Sequence, residues 1–490
     1  MAPPLTTASE PQDSACPATG EPSTGRGASV SPVPLQALAV WIAATVAMTL
    51  RVLSWKPSQT PDAWAYLAWG QALLRAERPL YNHALTTPKP LGMLLGMIAG
   101  PLPPERGFQL VVIVLLGAMA AALYWVAFNT AGTVGAAVAL ACLGTSAVIG
   151  QSLQKSLIDG AAAALVMLAI ATSGRRRLLC LILAGLARPE AWLLTGVAAY
   201  SQASGSPRRR LALGLLGAAL APLIWSTADL LLAGNAFASS DRANTIVKTM
   251  RLSPPALSTS PGQIASATAT DIGAAAAAAG LAGILLLVIR GHRKSGVVDP
   301  LVVAVLIGWP AAALVEMRFV PFEARYLFAA MAPLLVGCAV VGGVILRKPR
   351  LGGAWFASVC ASIAFALALS LGSGGPAVPR QTTNGLPVIE RALGCGHLEV
   401  YGRAVGDQTG TRQAARLVPA LAALSHHSLH DFVIGPTPGH LSALLWIGGR
   451  RPPRPGWVVT QIPPGALGGL TRLLFPSGSL AVTPACAARG

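Results

Sequence analysis

The sequence has little charge for its length. Only 11% of its 490 residues are Asp, Glu, Lys or Arg, whereas 53% are hydrophobic. A soluble globular protein carries about 25% charged residues, so this composition excludes an ordinary soluble domain. Apolar runs recur between residues 35 and 372, and a run of about 18 such residues is long enough to cross a bilayer. The sequence therefore predicts a multi-pass protein of the cell membrane.

Acidic residues are fewer than basic residues. Asp and Glu number 18 against 36 Lys and Arg, which gives a formal net charge of +18. Basic residues collect in the cytoplasmic loops of membrane proteins, and the chain has no RNA- or DNA-binding motif, so we expect no nucleic-acid partner. The seven cysteines form no CxxC or Cys/His pattern, so no metal-ligating group is predicted from them.

Composition divides the chain into three parts. Residues 1–34 are rich in Pro, Ser, Thr and Gly and are predicted to be a disordered head. Residues 35–372 form the membrane domain, and residues 373–490 follow the last apolar run. The apolar runs are at 35–53, 107–128, 133–150, 157–173, 178–200, 211–233, 271–290, 300–316, 324–346 and 352–372.

Four basic clusters between these runs predict the topology. The clusters are at 175–177, 208–210, 290–294 and 347–350, and all four should be cytoplasmic. This requires that the run 178–200, which separates the first two clusters, forms a hairpin of two short helices. Pro189 breaks that run between Arg188 and Glu190. The prediction is an all-α bundle of about eleven transmembrane helices, nine full crossings and the hairpin.

The same topology places the head in the cytoplasm and the large segments 54–106, 234–270 and 373–490 on the outer side. The tail alternates short apolar runs with Gly and Pro, which is typical of a small α/β or mostly β module. Cys395 and Cys486 are the cysteines assigned to the outer aqueous side. Disulfides persist there, so these two cysteines are predicted to be bonded to each other.

The first outer segment contains "PDAWAYLAWGQALLRAERPLYNHALTTPKP" at 61–90. Trp64, Leu67, Ala68 and Leu74 recur at helical spacing, which predicts an amphipathic helix lying on the membrane. The stretch 90–100 predicts a second surface helix. Asp62 opens the first helix and has two possible roles. It is either the N-cap or a general base at the boundary between membrane and water.

Several motifs resemble the GT-C superfamily of polyprenyl-phosphate-sugar glycosyltransferases. They are the acid soon after the first crossing in "PDAWAYLAWGQALLRAERPLY", then "TTPKPLGMLLG", "LAGLARPEAW" and "EARYLFAAMAPLL". The resemblance implies a GT-C bundle with surface helices in the first outer loop. It also implies a membrane enzyme that transfers a hexosyl or pentosyl group from a polyprenyl-phosphate carrier to an extracytoplasmic acceptor.

The resemblance implies roles for individual residues. Asp62 matches the catalytic base, and Asp159 is the candidate for a second catalytic acid. Cations are needed where negative charge grows on the leaving phosphate, and Glu190 neutralises one of them. The residues expected to bind substrate are Tyr66, Lys89, Arg188, Glu190, Arg242 and Arg325. No cofactor is certain. A divalent metal stays an alternative, but Asp62 is flanked by Pro61 and Ala63 rather than by the second acid that many members of the superfamily show, which argues against a metal-binding version of the motif.

The alternative is a transporter or flippase, or a non-catalytic scaffold of the cell envelope. Secondary transporters often contain two similar halves with polar residues near mid-membrane. This chain shows no such repeat, and its polar residues gather at the outer ends of helices, which favours the enzyme. The acceptor could be a glycan, a lipid or a protein. The abundant Ala, Gly, Arg and Pro fit a high-GC bacterium, which favours mannosyl or arabinosyl transfer.

Overall fold

A computed structural model describes most of the membrane domain and parts of the tail. The described residues are 35–54, 60–81, 86–104, 106–250, 260–293, 299–316, 324–345, 353–372, 393, 398–402, 418–425, 427–434, 443–447, 458–462 and 478–482. The predicted disordered head and the predicted disulfide between Cys395 and Cys486 lie outside these residues and stay predictions.

The described membrane domain is helical. Its helices are α1 (Leu35–Leu53), α2 (Pro61–Leu74), α3 (Pro90–Ala99), α4 (Gly107–Thr145), α5 (Ala147–Lys155), α6 (Ile158–Ala171), α7 (Gly174–Gly185), α8 (Ala191–Gln202), α9 (Pro207–Ala233), α10 (Ala238–Met250), α11 (Ser260–Ile272), α12 (Ala274–Arg293), α13 (Pro300–Val303), α14 (Trp309–Glu316), α15 (Met331–Ile345) and α16 (Ala354–Gly372). A π-helical turn, Ala304–Gly308, joins α13 to α14, and a 3-10 helix, Ala324–Ala330, precedes α15.

Several of these helices can cross a membrane. Among the described residues, four are long and apolar enough, at Leu35–Leu53, Gly107–Thr145, Pro207–Ala233 and Arg325–Ile345. A fifth candidate is the pair Pro261–Ile272 and Ala274–Ile289, which is bent by 102°. These helices confirm a multi-pass membrane protein. The predicted number of eleven crossings stays a prediction.

Two expected crossings form one long element. The apolar runs 107–128 and 133–150 correspond to α4 and the start of α5, and α4 is interrupted at Gly132, where φ is 72° and ψ is −165°. This left-handed conformation is open to glycine because it has no Cβ. The kink divides α4 into two helical halves close to the boundary that the sequence predicted.

The predicted break in the run 178–200 is confirmed. Helices α7 and α8 contain 12 residues each and are therefore about 18 Å long, shorter than the ~30 Å hydrocarbon core of a bilayer. Residues 186–190 form the turn between them. The amide of Leu91 at the start of α3 donates to the carbonyl of Leu186 at 3.2 Å, so the turn is held against α3.

Helix α2 corrects the predicted amphipathic surface helix. Every residue from Ala63 to Ala72 is buried, so α2 lies inside the protein. Its tight contact with α3 depends on glycine, because a Cβ at Gly96 would overlap the carbonyl oxygen of Tyr66 and a Cβ at Gly70 would overlap the backbone of Gly96. Helix α3 buries one face and exposes Leu94 and Ile98. That apolar outer face fits the predicted surface helix.

Helix α6 separates two polar regions of the membrane domain. Asp159 lies in its first turn. Beyond its other end, Nε of Arg177 donates to the carbonyl of Thr172 at 2.8 Å, and Nη2 of Arg177 lies 2.8 Å from Oδ2 of Asp299. Arg177 and Asp299, both expected in the cytoplasm, therefore meet at the end of α6 opposite Asp159.

The tail contains a five-stranded mixed sheet. Its strands are β1 (Leu398–Gly402), β2 (Phe432–Ile434), β3 (Ala443–Ile447), β4 (Val458–Ile462) and β5 (Gly478–Val482). The strand order is β2-β1-β3-β5-β4. Strand β1 pairs in parallel with β2 and β3, whereas β5 is antiparallel to β3 and β4. Residues 418–425, which precede β2, are helical.

Candidate active site

Asp159 is the centre of a buried cluster of charges. Its side chain is only 2% exposed, and three cations surround it. One carboxylate oxygen lies 3.8 Å from Nζ of Lys89 and 3.3 Å from Nε of Arg188, and the other lies 3.7 Å from Nη1 of Arg325. Burying a carboxylate is costly unless cations or hydrogen bonds compensate it. The three cations provide that compensation.

Asp62 lies at the start of α2 but does not cap it. The N-cap is Thr60, whose side chain accepts a hydrogen bond from the amide of Ala63, and Pro61 is the first helical residue. The capping role considered for Asp62 is therefore wrong. Instead, Oδ1 of Asp62 accepts a hydrogen bond from the hydroxyl of Thr86 at 2.7 Å, and Oδ2 accepts one from Nη1 of Arg325 at 3.3 Å. The Asp62 side chain is 31% exposed.

Arg188 and Glu190 occupy the turn between α7 and α8. Nη2 of Arg188 lies 3.2 Å from Oε1 of Glu190, and both side chains are buried. The predicted neutralising role of Glu190 fits this contact. The guanidinium of Arg188 also lies 4.1 Å from the ring centre of Tyr326, with that of Arg325 at 6.0 Å. This cation–π contact was not predicted, although Tyr326 follows Arg325 directly in the quoted motif "EARYLF".

Lys89 immediately precedes α3 and is buried beside Asp159. Burial lowers the pKa of Lys89, while the Asp159 carboxylate acts in the opposite direction. The ring of Tyr66 is 1% exposed, and its hydroxyl donates to the carbonyl of Thr87 at 3.1 Å. Burial also raises the pKa of Tyr66 well above its usual value, so this hydroxyl stays protonated. Tyr66 therefore holds the segment 86–89 in place.

Arg242 is the predicted site residue that lies on a separate element. It belongs to α10 and is half-buried, and burial lowers its pKa. The cluster around Asp159 is instead built from α2, α6, the segment before α3, the α7–α8 turn and the 3-10 helix before α15.

A cavity of about 320 Å³ opens beside Asp62. This volume is at the lower end of the range of about 300–1,000 Å³ that is usual for ligand pockets. The lining residues come from α2, α5 and the segments around them, and they are Thr60, Pro61, Asp62, Gln151, Lys155, Leu157 and Arg325. Of the predicted site residues, Asp62 and Arg325 line this cavity. The contributions of Gln151 and Lys155 were missed because α5 carries no recognisable motif.

The donor set of this site does not fit a divalent metal. Within the described residues, no group of three or more His, Cys, Asp or Glu side chains could hold a metal ion. The carboxylates of Asp62, Asp159 and Glu190 each lie against a cation instead. These carboxylates are already paired with cations, so no step is assigned to a metal.

Comparisons with known proteins identify the fold. No family model matches the chain, and no curated protein matches it in sequence. The crystal structure of ArnT from Cupriavidus metallidurans bound to undecaprenyl phosphate is similar over 91% of this chain and 97% of that chain, with a TM-score of 0.54 and 10% identity. The crystal structure of the Archaeoglobus fulgidus oligosaccharyltransferase in complex with Zn and sulfate is similar over 85% of this chain and 67% of that chain, with a TM-score of 0.44 and 12% identity. The chain therefore shares the fold of ArnT over most of both chains, which is consistent with the helical membrane bundle that the resemblance implied.

Proposed function

We propose that this protein is an integral-membrane glycosyltransferase that moves a sugar from a polyprenyl-phosphate carrier to an acceptor hydroxyl. One observation carries the proposal. The partly exposed carboxylate of Asp62 lines a cavity, and Arg325 joins it directly to a buried cluster of cations. A base next to cations is what this transfer needs, because the acceptor loses a proton while the donor phosphate gains negative charge.

In the proposed reaction, the acceptor oxygen attacks the sugar carbon that is bonded to the phosphate. The carbon–oxygen bond to phosphate breaks, and polyprenyl phosphate leaves with the bonding electron pair. The acceptor proton passes to the carboxylate of Asp62. Because this is a single displacement, it inverts the configuration at that carbon.

Lys89 and Arg188 are proposed to bind the donor phosphate. Both lie against Asp159, at 3.8 Å and 3.3 Å. Asp159 holds these cations in a buried setting where a hydrogen bond to phosphate is stronger than in water. Asp159 itself is enclosed by three cations, so it is better suited to organising them than to accepting a proton. This divides the two predicted catalytic acids into a base, Asp62, and an organising acid, Asp159.

The site is proposed to face the outer side of the membrane. Arg177 and Asp299 meet at the opposite end of α6, and the positive-inside rule assigns arginine clusters such as 175–177 to the cytoplasm. The first loop, 54–106, then lies outside with Asp62. The tail is assigned to the same side as this loop, because the hydroxyl of Ser428 donates to Oε2 of Glu77 at 2.6 Å. The tail is therefore proposed to be extracytoplasmic.

The donor sugars to test first are mannose and arabinose, since the composition favours a high-GC bacterial envelope. Purified protein is incubated with polyprenyl-phosphate donors labelled in either sugar, with a glycan, lipid or protein fraction of the envelope as acceptor. We expect release of polyprenyl phosphate and label in one acceptor fraction. Recovery of intact donor from every mixture would contradict the proposed glycosyltransferase activity. Movement of intact donor across a vesicle bilayer would favour the flippase.

A further inference from the structure

Thr86 lies against the proposed base and is the first residue of the motif "TTPKPLGMLLG", but the resemblance assigned it no role. Its side chain is buried, and its hydroxyl donates to Oδ1 of Asp62 at 2.7 Å. Arg325 approaches the other oxygen, Oδ2, at 3.3 Å. The two carboxylate oxygens of Asp62 are thus held from different sides, by a loop residue and by the 3-10 helix before α15.

The backbone around Thr86 is fixed by residues on either side of the site. The hydroxyl of Tyr66, which is itself buried in α2, donates to the carbonyl of Thr87. Further along, the amide of Leu91 donates to the carbonyl of Leu186 in the turn that carries Arg188. Thr86 therefore projects from a segment with little freedom to move.

An ionised carboxylate has about four acceptor positions, two on each oxygen. Thr86 occupies one position on Oδ1 and Arg325 occupies one on Oδ2, so the carboxylate is prevented from rotating. Acceptor positions remain on both oxygens, and the side chain is 31% exposed beside the cavity. General-base catalysis depends on this geometry, since the base must lie within hydrogen-bond reach of the proton it takes.

We propose that Thr86 is a positioning residue for the transfer reaction, whose hydroxyl holds Asp62 with an acceptor position aimed into the cavity. The inference rests on the proposed role of Asp62 as base. The hydrogen bond described for the Thr86 hydroxyl goes to Asp62, so its expected effect is on the rate of transfer and not on donor binding.

The test compares Thr86→Val, which removes the hydroxyl, with Thr86→Ser, which keeps it. For Thr86→Val we expect kcat to fall about tenfold or more, with the KM for the labelled donor unchanged. Thr86→Ser should restore the rate.

The comparison with Asp62→Asn distinguishes a failure of the role proposed for Thr86 from a failure of the role proposed for Asp62. If Asp62→Asn is inactive while Thr86→Val keeps the full rate, the positioning role is overturned and the base remains. If Asp62→Asn is fully active, the proposed base is overturned, and the role of Thr86 with it. An equal loss of kcat in Thr86→Val and Thr86→Ser would also overturn the inference, because it would show a packing defect only.

Discussion

Asp62 and Arg325 are 263 residues apart in the chain, yet Nη1 of Arg325 donates to Oδ2 of Asp62 at 3.3 Å. The same nitrogen lies 3.7 Å from Oδ2 of Asp159. Arg325 therefore bridges the exposed carboxylate at the cavity and the buried one in α6. This contact joins the first helix after the initial crossing to the segment before α15, and it makes one site from two distant motifs.

Asp62→Asn should abolish sugar transfer without destabilising the protein. Thr60 caps α2, and the asparagine oxygen can still accept the hydroxyl of Thr86, so neither the helix nor the loop loses its hydrogen bond. Arg325 keeps Asp159 as a partner. Loss of a general base costs about 10²–10⁴-fold in rate. The measurements are transfer rate and thermal unfolding of the purified variant, and a fully active Asp62→Asn protein would rule out the catalytic role.

Lys89→Met should weaken donor binding. The substitution keeps most of the apolar stem and removes the charge beside Asp159, which retains Arg188 and Arg325, so the fold should survive. Affinity for a polyprenyl-phosphate sugar should fall about tenfold or more, as expected for loss of a charge-assisted hydrogen bond to phosphate. The control is Arg208→Ala, an exposed cation at the start of α9. Equal donor affinity in both variants would contradict phosphate binding by Lys89.

The motif resemblance, together with local sequence, predicted some of this site. It implied roles for Lys89, Arg188 and Asp159, and each of these charges stands in or beside an apolar run, where it is costly without a partner. Thr86 begins the quoted motif "TTPKPLGMLLG" but was given no role, because an uncharged threonine carries no such signal. The bond between Asp62 and Arg325 could not be predicted, since it depends on how the bundle closes over 263 residues.

The sequence of α2 contains a pattern that indicates burial rather than a position on the membrane surface. Its sequence, "PDAWAYLAWGQALL", is apolar almost all round, and a helix of this kind is normally buried. The interpretation as a surface helix gave weight to one face and to the tryptophans. The sequence does not show which helix packs against α2. Burial requires α3 to approach α2 closely, and the glycines that permit this approach lie in both helices.

Gly96→Ala should destabilise the protein and disturb the site. A Cβ there would overlap the carbonyl oxygen of Tyr66, so α2 and α3 would have to separate and would shift Asp62 relative to Lys89. Overpacking of this kind costs on the order of 1–3 kcal/mol or more. The control is Gly262→Ala in α11, where a Cβ would have no neighbour within 4 Å. Thermal unfolding in detergent measures both, and equal midpoints would contradict the close contact of α2 with α3.

Glu77 and Ser428 should be energetically coupled, because the Ser428 hydroxyl donates to Oε2 of Glu77 at 2.6 Å. The contact lies in a small interface between the tail and the segment after α2. There, Nε2 of His430 lies 3.2 Å from the carbonyl oxygen of Arg78. The guanidinium of Arg75 donates to the carbonyl oxygen of His427. Glu77→Ala and Ser428→Ala, separately and together, form a double-mutant cycle. We expect a coupling of about 1 kcal/mol in the free energy of unfolding, modest because the Glu77 side chain is partly exposed. Ser428→Thr, which keeps the hydroxyl, is the control. Strictly additive effects of the two substitutions would show that the tail does not use this contact to hold the segment after α2.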